Sequence, residues 1–283
     1  MIIDSHVHIF PPEVVAHRDT YCERDPWFGA LYATERARIA TLEDLLTAMD
    51  EAGIDCAIAC GFPWHDPGLC AWHNEYLADA AQRSNGRVAW LGIVVPGTTA
   101  AAAEAERCFL RGAVGIGELN ADAQGFAFDD QKVFAPLVDV CRAFSRPLLF
   151  HVSEPLGHQY PGKGNAWPQR FISFLEAFPG QPVIAAHWGG GLPFYELMPE
   201  VAELTRQVVY DSAASTYLYR FRVFRAVVDL VGADRVLFAS DYPVLRQDRF
   251  LRRVLEVELT EQERALILGQ NALRVFRLAE AAR

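Results

Sequence analysis

The first strand-like segment of the chain carries two histidines, His6 and His8, which are separated by one residue. Side chains on a β-strand repeat every two residues, so both imidazoles point to the same side. The neighbouring apolar residues Ile2, Ile3 and Ile9 indicate a buried strand, in which imidazoles without partners would cost free energy. The spacing therefore predicts two converging metal ligands rather than two polar residues that face solvent.

Further apolar runs end in residue types that bind metals, at His151, His187 and Asp241. If these runs are parallel strands of a barrel, their carboxyl ends meet at one mouth. Three or more histidine and carboxylate ligands with one position left for water are typical of a catalytic zinc-type site. Glu118 closes another apolar run, and it is either a metal ligand that bridges two ions or a hydrogen-bond acceptor for a ligand or substrate.

The elements that must position these residues can also be predicted from the pattern. Eight short apolar runs are each followed by a segment with helical periodicity, and we predict strands at residues 2–9, 56–61, 88–95, 113–119, 147–152, 182–187, 208–212 and 236–241. Mostly short connections favour a closed parallel barrel, so residues 1–283 are predicted to form a single (β/α)8 TIM barrel domain. The loops after strands 1 and 5, at residues 10–40 and 154–166, are long and are candidate lids.

Helix boundaries carry their own signals. Thr41 is predicted to cap one helix, and Gly53 stands where a helix end favours a left-handed residue. Thr260 and Glu263 are predicted to form a capping box for a helix that extends to Phe276.

Composition narrows the class of protein. The 283 residues are 51% hydrophobic and 22% charged, which supplies enough apolar material for a large core. The net charge of -10 argues against a general nucleic-acid or anionic-membrane binder. Neither a signal peptide nor an apolar run of transmembrane length is recognisable, so we expect a cytoplasmic location. The expected partner is a small-molecule substrate, and a homodimer is one candidate oligomeric state.

The motifs together resemble one known family. They are the run IDSHVH at residues 3–8, the pair FH at 150–151, and the runs AHWGG at 186–190, FASDYP at 238–243 and GQNALR at 269–274. In these motifs the chain resembles the amidohydrolase superfamily, and specifically its amidohydrolase-2 branch of uncharacterised hydrolases, lactonases and aminocarboxymuconate-semialdehyde-type decarboxylases. The resemblance spans nearly the whole chain.

The resemblance implies a metal held by His6, His8, His151 and Asp241. His187 would be either a ligand of a second ion or a catalytic group beside the first. Glu118 stands where many members of the superfamily have a carboxylated lysine, whereas the decarboxylase-like branch often lacks a carboxylate ligand there. One or two ions are therefore expected. Zinc is the default for an imidazole-rich site, with manganese and iron as alternatives.

Such an ion would lower the pKa of a bound water from about 15.7 toward about 7 and polarise a carbonyl group. We expect Asp241 to take the proton of this water and return it to the leaving group, and His187 to stabilise the oxyanion or orient the water. Candidate substrate-binding residues lie in or near the predicted loops that follow the strands, namely Trp27, Trp64, Lys163, Asn165 and Arg220.

These residues predict hydrolysis of a small ester, lactone or amide as the main function. The same ligands would also serve non-oxidative decarboxylation of a carboxylated aromatic or unsaturated substrate, which the aromatic loop residues Trp27, Phe28, Phe62 and Trp64 suit. A metal-binding barrel without catalysis is the alternative from a different class, but an open coordination site has no obvious structural purpose. A nuclease, like the TatD-like relatives that also use a strand 4 glutamate, is disfavoured by the net negative charge.

Overall fold

A computed structural model describes residues 1–278 of the chain. Its centre is a sheet of eight parallel strands that pair in sequence order. The strands are β1 (Ile3–Val7), β2 (Cys56–Ala59), β3 (Val88–Gly92), β4 (Gly115–Leu119), β5 (Leu148–Phe150), β6 (Val183–Ala185), β7 (Val208–Asp211) and β8 (Val236–Leu237). The backbone N–H of Ser5 donates to Phe238 O and that of Asp241 donates to His6 O, both at 2.9 Å, which joins the β8 region back to β1. The predicted (β/α)8 barrel is therefore confirmed.

Helices lie between the strands along the chain. They are α1 (Pro12–Ala16), α2 (Arg18–Arg24), α3 (Pro26–Tyr32), α4 (Leu42–Ala52), α5 (Pro67–Arg83), α6 (Ala101–Leu110), α7 (Ala121–Gln124), α8 (Gln131–Ala143), α9 (Pro168–Ala177), α10 (Pro199–Thr205), α11 (Ser215–Leu218), α12 (Val223–Val231), α13 (Gln247–Leu255), α14 (Glu261–Ala265) and α15 (Asn271–Phe276). Segments with 3-10 helical turns occupy His187–Leu197 and Ala233–Arg235. One π-helical turn at Leu266–Gln270 joins α14 to α15.

A buried apolar layer lies beneath the carboxyl ends of the strands. Leu149 and Val209 belong to it, and each lies two residues before a polar residue of the same chain segment, His151 and Asp211. Residues two apart on a strand share a face, so the apolar layer supports the polar residues directly. Phe276 of α15 belongs to the same buried cluster.

The predicted helix ends at Thr41, Gly53 and Thr260 are confirmed. Thr41 forms a capping box with Asp44 at the start of α4, and Gly53 ends α4 with φ of 70°, in the left-handed region. Thr260 forms a capping box with Glu263 at the start of α14. These local signals depend on few residues, which is why the sequence predicts them well.

The two long loops differ in construction. Helices α1, α2 and α3 fill the loop after β1. Its residues Phe10, Phe28 and Tyr32 pack in a buried aromatic cluster with Phe62 and Trp64, which follow β2. The loop after β5, from His151 to Trp167, has no helix or strand. Within residues 1–278, no helix combines the length and apolar composition that crossing a bilayer requires.

Candidate metal centre

Three of the predicted ligands form one group at the barrel mouth. His6 lies in β1, His8 follows the end of this strand, and Asp241 follows β8, which is hydrogen-bonded beside it. The Nε2 atoms of His6 and His8 are 3.0 Å apart, and Asp241 Oδ1 is 4.0 Å and 3.7 Å from them. All three residues are buried, with exposed fractions of 0% for His6, 5% for His8 and 8% for Asp241.

A second group consists of Glu118 in β4, His151 after β5 and His187 after β6. Glu118 Oε1 is 2.8 Å from His151 Nδ1 and 3.1 Å from His187 Nε2, and the two imidazole nitrogens are 3.1 Å apart. The other oxygen, Oε2, is 3.5 Å from His6 Nε2 and 3.4 Å from His8 Nε2. Glu118 therefore connects the two groups, one oxygen facing each.

The hydrogen bonds around the centre fix which nitrogen of three imidazoles faces inward. His6 Nδ1 lies 2.8 Å from Asp211 Oδ2, and since a carboxylate only accepts, His6 donates outward and turns its Nε2 lone pair to the centre. His187 Nδ1 donates in the same way to Ala213 O at 3.3 Å. Outer acceptors of this kind are the usual partners of histidines that bind metals.

His151 also has one nitrogen bonded outward and one facing the centre, but here Nε2 is the outer nitrogen and Nδ1 the inner one. Its Nε2 is 2.9 Å from Ser153 Oγ, and Ser153 donates its own hydroxyl proton to Lys163 O, so Nε2 is the donor and the Nδ1 lone pair faces Glu118. In the neutral form that binds a metal, His6, His151 and His187 thus turn a lone pair toward the carboxylate oxygens of the centre. A cation among them removes this repulsion, so the donor set fits a divalent metal ion.

The centre has an excess of negative charge, which shifts the pKa values of its members. Burial raises the pKa of the Glu118 carboxyl, but the neighbouring His6 and His151 outweigh it and hold the pKa well below its ordinary value. Burial lowers the pKa of His6, whereas the negative charge of Asp211 and Glu118 outweighs burial and raises it well above the ordinary value. Negative charge in this centre is therefore retained and must be balanced.

Two residues of the centre have strained backbone conformations. His187 has φ of 57° and Asp241 has φ of 63°, both in the left-handed region that non-glycine residues rarely adopt. Such conformations cost about 1–3 kcal/mol each and cluster at functional sites. In both cases the chain turns just after its strand, which directs the side chain into the centre.

The centre opens into a cavity of about 740 Å³. Five of the six predicted ligands line it, since His6 lies deeper. Aromatic side chains form much of the wall, namely Trp27, Tyr32, Phe62, Tyr160, Tyr217 and Phe250. Both long loops contribute, the first through Trp27 and Tyr32 and the second through His158 and Tyr160. The volume lies in the range of small-molecule sites.

Of the predicted substrate-binding residues, Trp27 lines this cavity and four others lie elsewhere. Trp64 is 0% exposed within the aromatic cluster, where its Nε1 donates to His73. Lys163 is 2% exposed and donates to the carbonyls of Leu156 and His158 within its own loop. In both cases the polar group finds a partner inside the fold.

Asn165 and Arg220 also lie outside the cavity. Asn165 is exposed, and its backbone N–H donates to Asp122. Arg220 lines a separate shallow groove with Arg222 and Asp229. These two residues and the preceding two therefore lie outside the cavity lining, because loop side chains follow local contacts that strand periodicity does not determine.

Asp211 is the site residue that the sequence reasoning missed. Besides holding His6, its Oδ1 accepts the backbone N–H of His187 at 2.9 Å, so one carboxylate orients two residues of the centre. The signal was present, because Asp211 closes the seventh apolar run just as Asp241 follows the eighth.

The fold and the donor geometry agree with the family comparison. The chain matches the family model described as Amidohydrolase (Amidohydro_2) over residues 3–278 and belongs to this enzyme family. No curated protein is significantly similar to it in sequence.

Several solved structures share the fold over nearly their whole length. The 5-carboxyvanillate decarboxylase from Sphingomonas paucimobilis has a TM-score of 0.79 at 20% identity and covers 98% of this chain and 99% of its own. The 2,6-dihydroxybenzoate decarboxylase from Rhizobium has a TM-score of 0.73 at 20% identity, with 98% of each chain covered. The dihydroxybenzoic acid decarboxylase from Polaromonas sp. JS666, with bound manganese and the inhibitor 2-nitroresorcinol, has a TM-score of 0.75 at 19% identity, covering 99% of this chain and 98% of its own. At these identities the likeness establishes a shared fold.

Proposed function

We propose that the protein is a metal-dependent decarboxylase of a small carboxylated aromatic or unsaturated substrate. The observation that carries this proposal is the position of the donor cluster at the buried end of a cavity with aromatic walls. A planar ring packs well between such walls, and its carboxylate then reaches the cluster. The structural likeness to decarboxylases of carboxyvanillate and dihydroxybenzoate supports the same type of reaction.

The residues of this chain have distinct proposed roles. His6, His8, His151 and Asp241 would hold the ion, which would stabilise negative charge that develops on the substrate. Loss of carbon dioxide breaks the bond between the carboxylate and the ring carbon, and the electron pair left on this carbon takes up one proton. Asp241 passes this proton from water to the carbon, and solvent neutralises the hydroxide that remains. His187, when its Nε2 carries a proton, would donate to the substrate carboxylate and orient it.

Hydrolysis of an ester, lactone or amide, the main prediction from the sequence, is the second candidate. The observation in its favour is that Glu118 faces both ligand groups, as a carboxylate that bridges two ions would. Two ions suit the activation of water and the stabilisation of a leaving group. Metal content therefore bears on the reaction, because one equivalent per chain favours decarboxylation and two favour hydrolysis.

We further propose manganese as the first ion to test, because solved decarboxylases of this fold contain it. Zinc, the sequence-based prediction, is the second. Both ions accept mixed imidazole and carboxylate ligands, so the donor set alone does not choose between them.

The test measures carbon dioxide release from carboxyl-labelled 5-carboxyvanillate and 2,6-dihydroxybenzoate by mass spectrometry, with manganese-loaded and zinc-loaded protein. A panel of esters and lactones is assayed in parallel. We expect labelled carbon dioxide from at least one acid, and we expect His151→Ala to lower the rate by at least about a hundredfold. The matched control is His17→Ala, since His17 is exposed and outside the cavity.

Hydrolysis of a panel ester without carbon dioxide release would replace the proposed reaction with the second candidate. Turnover that is equal with and without metal would contradict both. Any metal-dependent turnover would remove the alternative of a metal-binding barrel without catalysis.

A further inference from the structure

The cavity wall has a charge that is opposite in sign to that of the whole chain. The chain has a formal net charge of -10, yet the cavity is lined by five arginines: Arg36, Arg38, Arg246, Arg249 and Arg253. Among the described residues, the acidic side chains that line it are Glu118 and Asp241, and both belong to the metal centre. Outside that centre the wall is therefore cationic, which favours an anionic ligand.

Two of these arginines form one surface of α13. Arg249 and Arg253 are four residues apart, so their side chains project from the same face of the helix. The Arg253 guanidinium lies 3.8 Å from the centre of the Phe221 ring and donates to Thr216 Oγ1 at 3.3 Å, and Thr216 also lines the cavity. These contacts hold the guanidinium in place before a ligand arrives.

Arg249 and Arg253 are not paired with a carboxylate in the described part of the chain. Arg246 pairs with Asp248 and lies 3.8 Å from Glu51, whereas neither Arg249 nor Arg253 has a carboxylate within salt-bridge distance among residues 1–278. Arginine that lines a cavity without a protein counter-ion is suited to bind carboxylate or phosphate from a ligand.

The size of the cavity leaves room for a ligand that reaches both regions. A volume of about 740 Å³ lies toward the upper part of the range for small-molecule sites, which hold ligands larger than a single-ring acid. Because the metal ligands and the arginines of α13 line this one cavity, a ligand larger than a single ring can contact both regions at once.

We propose that the substrate carries a second anionic group, a carboxylate or a phosphate, which Arg249 and Arg253 bind at the α13 wall. This inference rests on the proposed function, because it takes the reacting carboxylate to lie at the metal centre. The two arginines determine substrate specificity and take no part in the bond that breaks.

Calorimetric titration of manganese-loaded protein tests the inference with three matched ligands. They are a biphenyl monocarboxylate, the dicarboxylate with its second acid on the distal ring, and the analogue with a phosphonate in that position. We expect the wild type to bind one of the dianionic ligands about tenfold to a hundredfold more tightly than the monocarboxylate. A gain with the dicarboxylate identifies a carboxylate as the second group, and a gain with the phosphonate alone identifies a phosphate.

The variants assign the preference to the proposed residues. Arg249→Gln/Arg253→Gln should abolish the preference, whereas Arg252→Gln should retain it, because Arg252 is exposed on the same helix but does not line the cavity. Equal affinity of the wild type for all three ligands, or a preference that survives in the double variant, would overturn the inference. Since titration measures binding alone, a failure to release carbon dioxide in the activity assay leaves this result interpretable.

Discussion

At the scale of single residues, the centre depends on side chains that do not themselves face the ion. Asp211 accepts a hydrogen bond from the Nδ1–H of His6, and Ser153 accepts one from the Nε2–H of His151. Each acceptor selects one tautomer and thereby aims one nitrogen lone pair inward. The predicted ligands therefore form a site only in combination with these outer partners.

We predict that Asp211→Asn weakens metal binding by about tenfold to a hundredfold. The amide oxygen can still accept the backbone N–H of His187, but the amide nitrogen then faces His6 Nδ1 and favours the tautomer with a proton on Nε2. The dissociation constant for manganese, measured by competition with a chelator, gives the effect. Asp139→Asn, on the exposed face of α8, is the matched control, and an unchanged constant for Asp211→Asn would show that this carboxylate does not orient His6.

The residues of the centre illustrate what the sequence allows one to predict. His6, His8, His151, His187 and Asp241 could be grouped because strand ends of a barrel meet regardless of their distance along the chain. Trp64 and Lys163 could not be placed, because a loop side chain turns toward whichever partner its local backbone offers. For Lys163 that partner is a pair of carbonyls in its own loop.

At the scale of elements, the turn after β6 packs closely against the segment after β5. Gly190 has φ of 60°, and a Cβ atom at this position would collide with the carbonyl oxygen of Ser153. Because Ser153 holds His151, the close approach of the two segments also positions the centre.

We predict that Gly190→Ala lowers the free energy of unfolding by about 2–5 kcal/mol, the sum of a left-handed alanine and a steric clash. Gly180→Ala separates the two contributions, because Gly180 has φ of 82° and no atom within 4 Å of an added Cβ. It should lose only about 1–2 kcal/mol in urea unfolding. Equal losses for the two variants would contradict the proposed packing.

Lys163 organises the loop after β5. Its Nζ donates to Leu156 O at 2.7 Å and to His158 O at 3.0 Å and lies 3.7 Å from Glu154. We predict that Lys163→Met raises hydrogen–deuterium exchange at residues 154–163 by about tenfold, because the loop loses its internal donor. Lys132→Met, in which the chain's other lysine is replaced at an exposed position of α8, should leave this exchange unchanged. The same rate in both variants would show that Lys163 does not hold the loop.

The strand boundaries show the limit of pattern-based prediction. Strand 8 was predicted at residues 236–241, but regular pairing ends at Leu237, and strand 6 ends at Ala185 rather than at 187. The apolar pattern continues because the segments stay buried, whereas the backbone already turns to aim Asp241 and His187 into the centre. The helix predicted from Thr260 to Phe276 is continuous, but it contains a π-helical turn at Leu266–Gln270, which apolar periodicity alone does not reveal.

At the scale of the whole molecule, the barrel is predictable because it repeats. Eight apolar runs at regular spacing define its interior, and each needs the next for hydrogen bonding, so a few misplaced boundaries do not change the fold. The loops that shape the cavity do not repeat. Their packing depends on contacts between distant segments, such as those of His73 in α5.

His73 connects three segments while it remains uncharged. Its Nε2–H donates to Ile9 O at 2.9 Å, and its Nδ1 accepts from Trp64 Nε1 at 3.1 Å and from the Phe62 N–H at 3.4 Å. Burial lowers its pKa from 6.5 to about 4. The unfolded chain therefore binds a proton more readily than the folded one, and stability that is present above about pH 6.5 is lost as the pH falls toward about 4.

We predict that His73 contributes a loss of about 3 kcal/mol over this interval. His73→Gln retains a donor and an acceptor without titrating, so the free energy of unfolding of this variant should fall less on acidification than that of the metal-free wild type. Urea unfolding at about pH 7 and about pH 4.5 gives the comparison. His17→Gln, at an exposed histidine, should keep the wild-type pH dependence, and the same dependence in His73→Gln would show that His73 is not held neutral.

The proposed function requires that the clustered imidazoles and carboxylates bind a divalent ion. The most direct test is elemental analysis of protein that has been loaded with manganese and dialysed. We predict at least about one equivalent per chain in the wild type and in the exposed-site control His17→Ala/Asp139→Ala, and less than about a tenth of an equivalent in folded His8→Ala/Asp241→Ala. A wild type that retains no metal, or a His8→Ala/Asp241→Ala variant that retains as much as the wild type, would contradict it.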